Sequence, residues 1–236
     1  METCIPPHLP VLLAGRWFSG LAPAFAQQLL ALGQPRPLDA GEALFLRGDA
    51  LEGGLFAVLQ GSIGFSGVGG LGEQAREALL TRMGPSTWFG EIALFDGSPR
   101  THDAYAMEPS TVLQVARQPL LDWLGRHPVH WHDLGVLMSG RMRAAFTALE
   151  DLALLPAPQR LARRLVAMAR GYGEWRDDLP AQPRLRVTQE QLARMLSISR
   201  QTANQLLQDL QARGIVRVQR GEIDILQWQA LCALRF

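Results

Sequence analysis

RVTQEQLARMLSISRQTANQLLQDLQARGIVRVQRGEIDIL, residues 186–226, contains two short helical patterns separated by a tight turn. Thr188 and Gln191 have the spacing of a capping box, which predicts the start of the first helix. Ser199 follows the turn and is placed to cap the second helix. Each helix is expected to bury one apolar face, formed by Leu192, Met195 and Leu196 in the first and by Ala203, Leu206, Leu207 and Leu210 in the second. Two short helices joined in this way predict a helix-turn-helix.

The outer face of the second helix indicates what this motif binds. That face carries Arg200, Gln201, Asn204 and Gln205. Guanidinium and amide groups form the hydrogen bonds that distinguish base edges in the major groove of DNA. We include Thr188 and Ser199, at the two helix starts, in the expected DNA-binding surface. A pair of helices without a ligand is the alternative interpretation.

A β-hairpin is predicted after the second helix. Gly214 ends the helix, and the segments Val216–Val218 and Ile223–Leu226 flank a turn at Arg220-Gly221. This hairpin would be the wing of a winged helix-turn-helix. Arg217 and Arg220 are then expected to lie on DNA phosphates.

The charges are distributed unevenly along the chain. Residues 1–156 hold 10 Arg and 15 acidic residues, a net charge of −5, whereas residues 157–236 hold 13 Arg and 7 acidic residues, a net charge of +6. Lysine is absent from the sequence, so every fixed positive side chain is a guanidinium, which suits bidentate contacts with phosphate or guanine. This asymmetry agrees with a C-terminal domain that binds double-stranded DNA.

Composition excludes several classes of protein. The 236 residues are 47% hydrophobic and 19% charged, which is typical of one large or two smaller globular domains. Cys4 and Cys232 are the only cysteines, which excludes a disulfide framework and a four-cysteine metal or iron–sulfur site. The sequence lacks an apolar run of membrane-spanning length and a signal-peptide pattern, so we expect a cytoplasmic protein without a membrane partner. It also lacks the spacings of nucleophilic catalytic residues, so we expect no enzymatic activity.

A long helix is predicted between the acidic and basic parts of the chain. From Pro128 onward, apolar residues recur at steps of four and three: Leu134, Met138, Met142, Ala145, Leu149 and Leu152. Such a stripe is typical of a helix that pairs with a second copy, and we expect Leu134, Met138, Met142 and Leu149 to form a homodimer contact. A helix that lies on its own domain is the alternative. Pro156 and Pro158 end the helix, which predicts segments 1–127, 128–156 and 157–236.

Three histidines near the start of this helix could suggest a metal site. They are His127, His130 and His132, of which only His127 and His130 would share a helical face. A third metal ligand is not evident. We therefore expect surface or capping histidines.

The N-terminal half is predicted to be a β-sandwich or barrel. Short β-prone stretches alternate with turns at close intervals: Ala43–Leu46, Leu55–Leu59, Ser62–Ser66 and Thr111–Val115. Gly41, Gly48, Gly61 and Gly84 fall at the turns.

A glycine-rich segment in this half matches the pattern of a dinucleotide site. Gly67, Gly69 and Gly72 have the G-x-G-x-x-G spacing. The sequence after them lacks the alternation of strands and helices that such a site requires, so a hairpin tip is the favoured interpretation.

The segment FGEIALFDGSPRT, residues 89–101, brings an acid, an arginine and a hydroxyl into one loop. It resembles the phosphate-binding cassette of the Crp/Fnr family of bacterial transcription regulators. The resemblance runs from about Pro37 to the C-terminus. LDAGEALFLRGD (38–49) and LFAVLQGSIGF (55–65) resemble the first strands of that family's cyclic-nucleotide-binding β-barrel. The long helix resembles the family's dimer helix, and residues 186–226 resemble its winged helix-turn-helix.

This resemblance implies an α+β fold and a set of effector contacts. The fold would comprise an N-terminal cyclic-nucleotide-binding β-barrel of the jelly-roll type, a long dimerisation helix and a C-terminal winged helix-turn-helix. Arg100 would pair with phosphate oxygens of the effector, and Thr101 would add a hydroxyl donor. Backbone N–H groups of Gly90, Glu91 and Ile92 would point at the same anion, while the Glu91 carboxylate would accept the ribose 2′-hydroxyl proton.

Two positions depart from the family pattern. Ala145 and Phe146 align with the hydroxyl pair that contacts adenine in cyclic-AMP-binding members, and they cannot make those hydrogen bonds. His102 stands where a small residue is usual. Cyclic AMP, cyclic GMP and cyclic di-GMP therefore remain open as the effector, with no metal or iron–sulfur cluster expected.

The resulting expectation is a dimeric, effector-controlled transcription regulator that binds specific DNA sequences, with RNA polymerase left open as a protein partner. Three alternatives stay in view. One is a ligand-independent regulator with a vestigial cassette, and another is a haem-based gas sensor of the same family. The third is a cyclic-nucleotide-binding regulatory subunit that acts on a protein partner.

Overall fold

The computed structural model describes residues 7–50, 54–69, 76–173, 176, 178, 180–181 and 183–234, so Cys4 and Gly72 lie outside the described residues. The chain divides into two compact units. The first comprises Met1–Gly67, Thr81–Met142 and Glu174–Asp177, and the second comprises Val68–Leu80, Arg143–Gly173 and Asp178–Phe236.

Three short helices that the sequence patterns did not predict begin the first unit: α1 (Leu9–Leu13), α2 (Arg16–Ser19) and α3 (Pro23–Leu32). Residues of α2 and α3 make aromatic contacts with distant parts of the chain. The Phe18 ring stacks on Trp88, with centroids 5.5 Å apart. Trp17 Nε1 donates a hydrogen bond to the carbonyl oxygen of Asp133 at 2.7 Å. Tertiary packing therefore stabilises helices that are too short to be stable alone.

The β-region consists of two four-stranded sheets. Its strands are β1 (Gly33–Leu38), β2 (Ala43–Phe45), β3 (Leu55–Gln60), β4 (Ile63–Gly69), β5 (Arg76–Met83), β6 (Trp88–Phe89), β7 (Asp103–Ala106) and β8 (Ser110–Val115). The sheet orders are β1-β8-β3-β6 and β2-β7-β4-β5. Pro35 and Pro37 lie in β1, at a sheet edge, where a missing N–H donor is tolerated. The predicted jelly-roll architecture is confirmed.

The glycine-rich segment lies in this β-region. Gly67 and Gly69 belong to β4, and the next described element is β5, the neighbour of β4 in the same sheet. A strand in that place contradicts a dinucleotide site, which needs a helix there. The adjacent strands agree with the hairpin interpretation, whose tip at residues 70–75 lies outside the described residues.

One short helix interrupts the barrel strands, and longer helices follow them. A short helix, α4 (Ile92–Asp96), lies between β6 and β7, and α5 (Arg117–Arg126) follows β8. A 3-10 turn at Pro128–His130 leads into the predicted long helix, α6 (Trp131–Leu154). Among the described residues, the helices include none that is long and apolar enough to cross a membrane.

The prediction that His130 is a surface or capping histidine is wrong. Its ring is buried between Phe25 and Trp123, with both centroid distances at 5.0 Å, and its Nδ1 lies 2.8 Å from Asp133 Oδ2. His127 is exposed, and its ring stacks on the same Trp123 ring, with the two centroids 4.3 Å apart. Both histidines thus serve an aromatic cluster, and the described part of the chain holds no group of three ligand-type side chains arranged for a metal ion.

The second unit contains the helix-turn-helix. Its elements after α6 are α7 (Ala157–Ala169), β9 (Arg184–Arg186), α8 (Gln189–Leu196), α9 (Arg200–Ala212), β10 (Val216–Gln219), β11 (Glu222–Ile225) and α10 (Trp228–Ala233). The capping box is confirmed, because Gln191 N donates to Thr188 Oγ1 at 3.1 Å and Thr188 N donates to Gln191 Oε1 at 2.8 Å. Ser199 caps α9 by accepting from Thr202 N at 3.0 Å. The predicted inner faces are buried, except that Leu206 is half-buried.

The wing is a three-stranded sheet of order β10-β11-β9. The hairpin of β10 and β11 matches the prediction, and Gly221 at its turn has a φ of +78°, which favours glycine. The third strand, β9, was not predicted. Arg184 on β9 pairs with Asp224 on β11, with Nε 2.7 Å from Oδ1.

Candidate functional site

Gly90, the second residue of the cassette at residues 89–101, cannot be replaced by another residue unless its neighbours move. Gly90 has a φ of +99°. A Cβ added there would lie 2.7 Å from the Gly54 carbonyl oxygen and 3.3 Å from Arg100 Nη1. Gly90 therefore lets the chain pass close to Arg100 before α4 begins.

Arg100 points into the barrel. The residue is only 5% exposed. Its Nη2 group donates a hydrogen bond to the Gly54 carbonyl oxygen at 3.1 Å, and its Nη1 group donates one to the Gly90 carbonyl oxygen at 3.5 Å. The guanidinium carbon lies 4.4 Å from the centroid of the Phe45 ring and 5.5 Å from that of Phe56. Desolvation lowers the pKa of Arg100, while the charges of Glu91 and Asp49 act in the opposite direction. The group still remains protonated, as arginine does in proteins.

Glu91 lies at the start of α4 and is 3% exposed. Its charge acts on Arg100, so the structure brings together a buried acid, a buried guanidinium and the Gly90 turn. The side chain of Ile92 is exposed. Thr101 is also exposed, and its Oγ1 lies 2.9 Å from Nδ1 of His102.

An aromatic cluster surrounds this part of the barrel and was missed at the sequence level. It consists of Phe45, Phe56, Phe65 and Phe89. The closest centroids, those of Phe65 and Phe89, are 5.1 Å apart in an edge-to-face arrangement. The four residues lie on β2, β3, β4 and β6, so only the pairing of strands brings them together. The cluster provides an apolar wall beside the Arg100 charge.

The α6 stripe is exposed over most of its length. Met142 is 54%, Phe146 59% and Leu149 60% exposed, and Ala145 is exposed as well. Met138 is half-buried.

The prediction that Leu134 belongs to the dimer contact is wrong. Leu134 is fully buried in the core of its own chain, in the same cluster as Trp17, Trp88 and Leu137. It has no surface left for a second copy, because this first turn of the stripe already packs on the N-terminal unit.

The DNA-reading residues predicted on α9 share one surface. Arg200, Gln201 and Gln205 are exposed, and Asn204 is half-buried. The Gln205 amide donates through Nε2 to Asp209 Oδ1 at 3.0 Å, one helical turn away. The carbonyl oxygen and the second amide hydrogen remain as potential partners of a base edge.

The wing and the two helix starts form a concavity of about 360 Å³ that Thr188, Arg200 and Arg220 line. Arg220 and Arg217 are exposed. In contrast, Arg184 and Arg186 on β9 face the carboxylates of β11, since Glu222 lies 3.7 Å from each. The positive side chains of β10 and its turn are thus distinct from those that hold the wing together.

Comparisons with known proteins match two separate parts of the chain. Residues 35–127 match the model of the cyclic nucleotide-binding domain, and residues 159–234 match that of the Crp-like helix-turn-helix domain. The CRP-like cAMP-activated global transcriptional regulator of Mycobacterium tuberculosis is 30% identical over 206 residues, which cover 86% of this chain and 88% of that protein. The cyclic AMP receptor protein of Thermus thermophilus is 29% identical over 222 residues, which cover 93% and 96%.

A solved structure supports the fold. FixK2 from Bradyrhizobium japonicum has a TM-score of 0.73 at 19% identity, and the match covers 86% of this chain and 98% of that one. The sequence relatives are transcription regulators, and the helix-turn-helix match indicates a DNA-binding protein. Because both domains match in this order and a 30%-identical relative is covered along most of its length, the chain belongs to the Crp/Fnr family of transcription regulators.

Proposed function

We propose that this chain is a homodimeric, sequence-specific transcription regulator whose barrel binds a cyclic nucleotide or cyclic dinucleotide, and that it is not an enzyme. In this proposal residues 1–127 form the effector domain, residues 128–156 the dimerisation helix and hinge, and residues 157–236 the DNA-binding domain. RNA polymerase is the protein partner that such a regulator would contact.

The buried Arg100 guanidinium carries the effector proposal. A buried charge is costly unless it is paired, and Arg100 has Glu91 and two carbonyl oxygens near it. Its contact with the Gly90 carbonyl is at 3.5 Å, the outer limit of a hydrogen bond. A phosphate oxygen would form a shorter, charge-assisted bond with the same Nη1 group. An anionic effector would therefore gain more from Arg100 than the carbonyl does.

The neighbouring groups would complete the site. Glu91, as a buried acceptor, would take a hydrogen bond from a ribose 2′-hydroxyl, and the backbone N–H groups of Gly90 and Ile92 would face the phosphate. Thr101 would donate its hydroxyl to the phosphate after turning from His102.

The identity of the base is a separate question. The Mycobacterium tuberculosis relative is described as cAMP-activated, which makes cyclic AMP the first effector to try. Ala145 and Phe146 offer a methyl group and a ring rather than hydroxyls, so they favour stacking over hydrogen bonding with a base. Cyclic GMP and cyclic di-GMP are therefore tested beside cyclic AMP.

DNA recognition would use α9 and the wing. Arg200, Gln201, Asn204 and Gln205 would contact base edges, while Arg217, Arg220 and the capped helix starts at Thr188 and Ser199 would contact phosphates. Pairing of α6 through Met138, Met142 and Leu149 would place two such surfaces on successive half-sites.

A melting experiment with three cyclic nucleotides tests the effector site. We expect at least one of cyclic AMP, cyclic GMP and cyclic di-GMP to raise the melting temperature of the full chain, since a ligand that binds only the folded state stabilises it. Arg100→Ala should weaken that ligand by about 2 kcal/mol, or roughly 30-fold. Arg126→Ala, at an exposed arginine of α5, serves as the matched control and should leave the affinity unchanged.

Two results would contradict the proposal. An unchanged affinity in Arg100→Ala would place the bound nucleotide outside the cassette. Absence of a shift with all three nucleotides, in a protein that binds DNA, would indicate the ligand-independent alternative.

A further inference from the structure

A second cavity, of about 300 Å³, lies within the second unit between the C-terminal half of α6, α7 and α8. We call it the hinge cavity, and it is separate from the cassette and from the reading face of α9. Its lining residues are Ala144, Thr147, Ala148, Asp151 and Leu152 of α6, Arg160, Arg163, Arg164 and Ala167 of α7, and Tyr172, Met195 and Leu196.

Three guanidinium groups and one carboxylate line this cavity. Arg163 forms an ion pair with Asp151 across the turn between α6 and α7. Neither Arg160 nor Arg164 has a carboxylate partner among the described residues. The lining thus carries a net charge of +2, and two of its cations are available to an anion.

The two remaining arginines are held only weakly. Arg160 Nη1 donates to the Leu152 carbonyl at 3.4 Å, and its Nε is buried without a hydrogen-bond partner in the part of the chain that the structure describes. The guanidinium carbon of Arg164 lies 6.0 Å from the centroid of the Tyr172 ring. A buried N–H donor with no acceptor is unfavourable, so Arg160 would gain by turning its guanidinium toward an anion in the cavity.

Most of the remaining lining is apolar, and three alanines leave space in it. Ala144 and Ala148 lie one turn apart on α6, and Ala167 lines the cavity from α7. Met195 and Leu196 contribute from α8. Apolar walls with a few convergent polar groups, at this volume, are typical of small-molecule sites.

We propose that the hinge cavity is a binding site for a small organic anion with an apolar body, such as an aromatic carboxylate or a phosphate monoester. The anionic group would pair with Arg160 and Arg164, and the apolar body would lie against Ala148, Ala167 and Leu196. Because α8 is the first helix of the helix-turn-helix, an occupant would stabilise one arrangement of α8 against α6 and α7. Its binding would then be coupled to DNA binding.

The full chain, carrying Arg100→Ala to remove the cassette cation, is titrated with phenyl phosphate and, separately, with inorganic phosphate. Phenyl phosphate should bind and raise the melting temperature, and inorganic phosphate should bind at least about tenfold more weakly because it has no apolar body. Arg164→Ala should weaken phenyl phosphate by about tenfold or more, through loss of a charge-assisted contact. Arg213→Ala, at an exposed arginine after α9, is the matched control and should bind as the parent does.

A second variant tests the apolar half of the cavity without changing its charge. Ala167→Leu should fill the space between α6 and α7 and weaken phenyl phosphate, while the three arginines remain.

The proposal would be overturned by unchanged affinity in Arg164→Ala or in Ala167→Leu, by equal affinity for the two phosphates, or by no binding at millimolar phenyl phosphate. If the response is present in the unsubstituted protein and is lost in Arg100→Ala, the ligand binds the barrel and the hinge cavity is not its site. None of these outcomes depends on a cyclic nucleotide binding the cassette.

Discussion

Arg100 illustrates how single residues of the cassette are constrained by groups far away in sequence. Its guanidinium contacts the Gly54 carbonyl and the Phe45 ring, both about 50 residues earlier in the chain. A cation over an aromatic face is stabilised by about 0.5–2 kcal/mol, depending on exposure. In the proposed site an effector phosphate would compete with these contacts, so we expect Phe45 and Gly54 to influence affinity as well as Arg100.

His102 is expected to make the stability of the chain fall on mild acidification. Partial burial lowers the pKa of His102, Arg47 lowers it further, and Asp103 acts in the opposite direction. The unfolded chain therefore takes up this proton at a higher pH than the folded chain does. The contribution of His102 to stability is then fully present above the ordinary pKa of about 6.5 and is lost as the pH falls below it.

Denaturant unfolding from neutral to mildly acidic pH checks this expectation with His102→Gln, which cannot titrate. The parent should lose more free energy of unfolding than the variant over this range. The same substitution at exposed His132 should follow the parent curve. Parallel curves for the parent and His102→Gln would show that His102 is not responsible.

Gln205 tests base reading at a single position of α9. An amide pairs best with adenine, whereas an arginine pairs with the N7 and O6 of guanine. Gln205→Arg should therefore shift the preference at one base pair toward guanine by about 1–3 kcal/mol. Asp209 would compete for the new guanidinium, because it already binds Gln205. The double variant Gln205→Arg, Asp209→Ala should consequently show the larger shift.

Selection of binding sites from random duplexes measures this preference. Gln229→Arg adds the same charge on α10 and should strengthen binding without changing the selected sequence. An unaltered site for Gln205→Arg would mean that this residue does not face a base. For the parent protein we expect half-sites rich in A·T pairs.

Among the secondary-structure elements, the helix-turn-helix was predictable because its signals are local. The caps at Thr188 and Ser199 and the turn at Gly221 lie within the elements that they define. Strand β9 was not predictable, since three residues gain their strand conformation from pairing with β11, about 40 residues later. Helix α2 was missed for the same reason: its contacts with Trp88 and Asp133 are distant in sequence.

The candidate effector site shows the same limit of sequence-based prediction. Gly90, Glu91 and Arg100 lie in one motif, which identified them before their geometry was known. The aromatic cluster around them was invisible, because its members come from four strands and meet only after the sheets form. The burial of Leu134 likewise depends on α1–α3, whose presence the stripe on α6 does not reveal.

The capping box should contribute directly to the stability of the helix-turn-helix. Thr188→Ala removes the acceptor for Gln191 N, and we expect the free energy of unfolding to fall by about 1 kcal/mol. Thr188→Ser keeps a hydroxyl and should lose much less. Chemical denaturation followed by circular dichroism measures both. Equal stabilities of the alanine and serine variants would show that the side chain does not act as a cap.

The surface of α6 is unusual for a protein that acts as a single chain. Met142, Phe146, Leu149 and Leu152 are all more than half exposed and recur on adjoining turns of one helix. A contiguous apolar surface of this kind marks an interaction site. The heptad-like spacing favours a second copy of the same helix as the partner, and a dimer would explain how one reading helix per chain meets two half-sites.

We expect Met142→Glu to give monomers that fold normally but bind DNA weakly. Met142 is 54% exposed in the single chain, so the new charge costs little there, whereas in a paired helix it would be buried opposite its own copy. Gly140→Glu is the matched control. It adds the same charge roughly 160° away around the helix, where an added Cβ meets no atom within 4 Å. Sedimentation should show monomers for Met142→Glu and dimers for Gly140→Glu, and only the monomer should lose the affinity gained from a second half-site. A Met142→Glu protein that sediments as the parent does would place the dimer contact elsewhere.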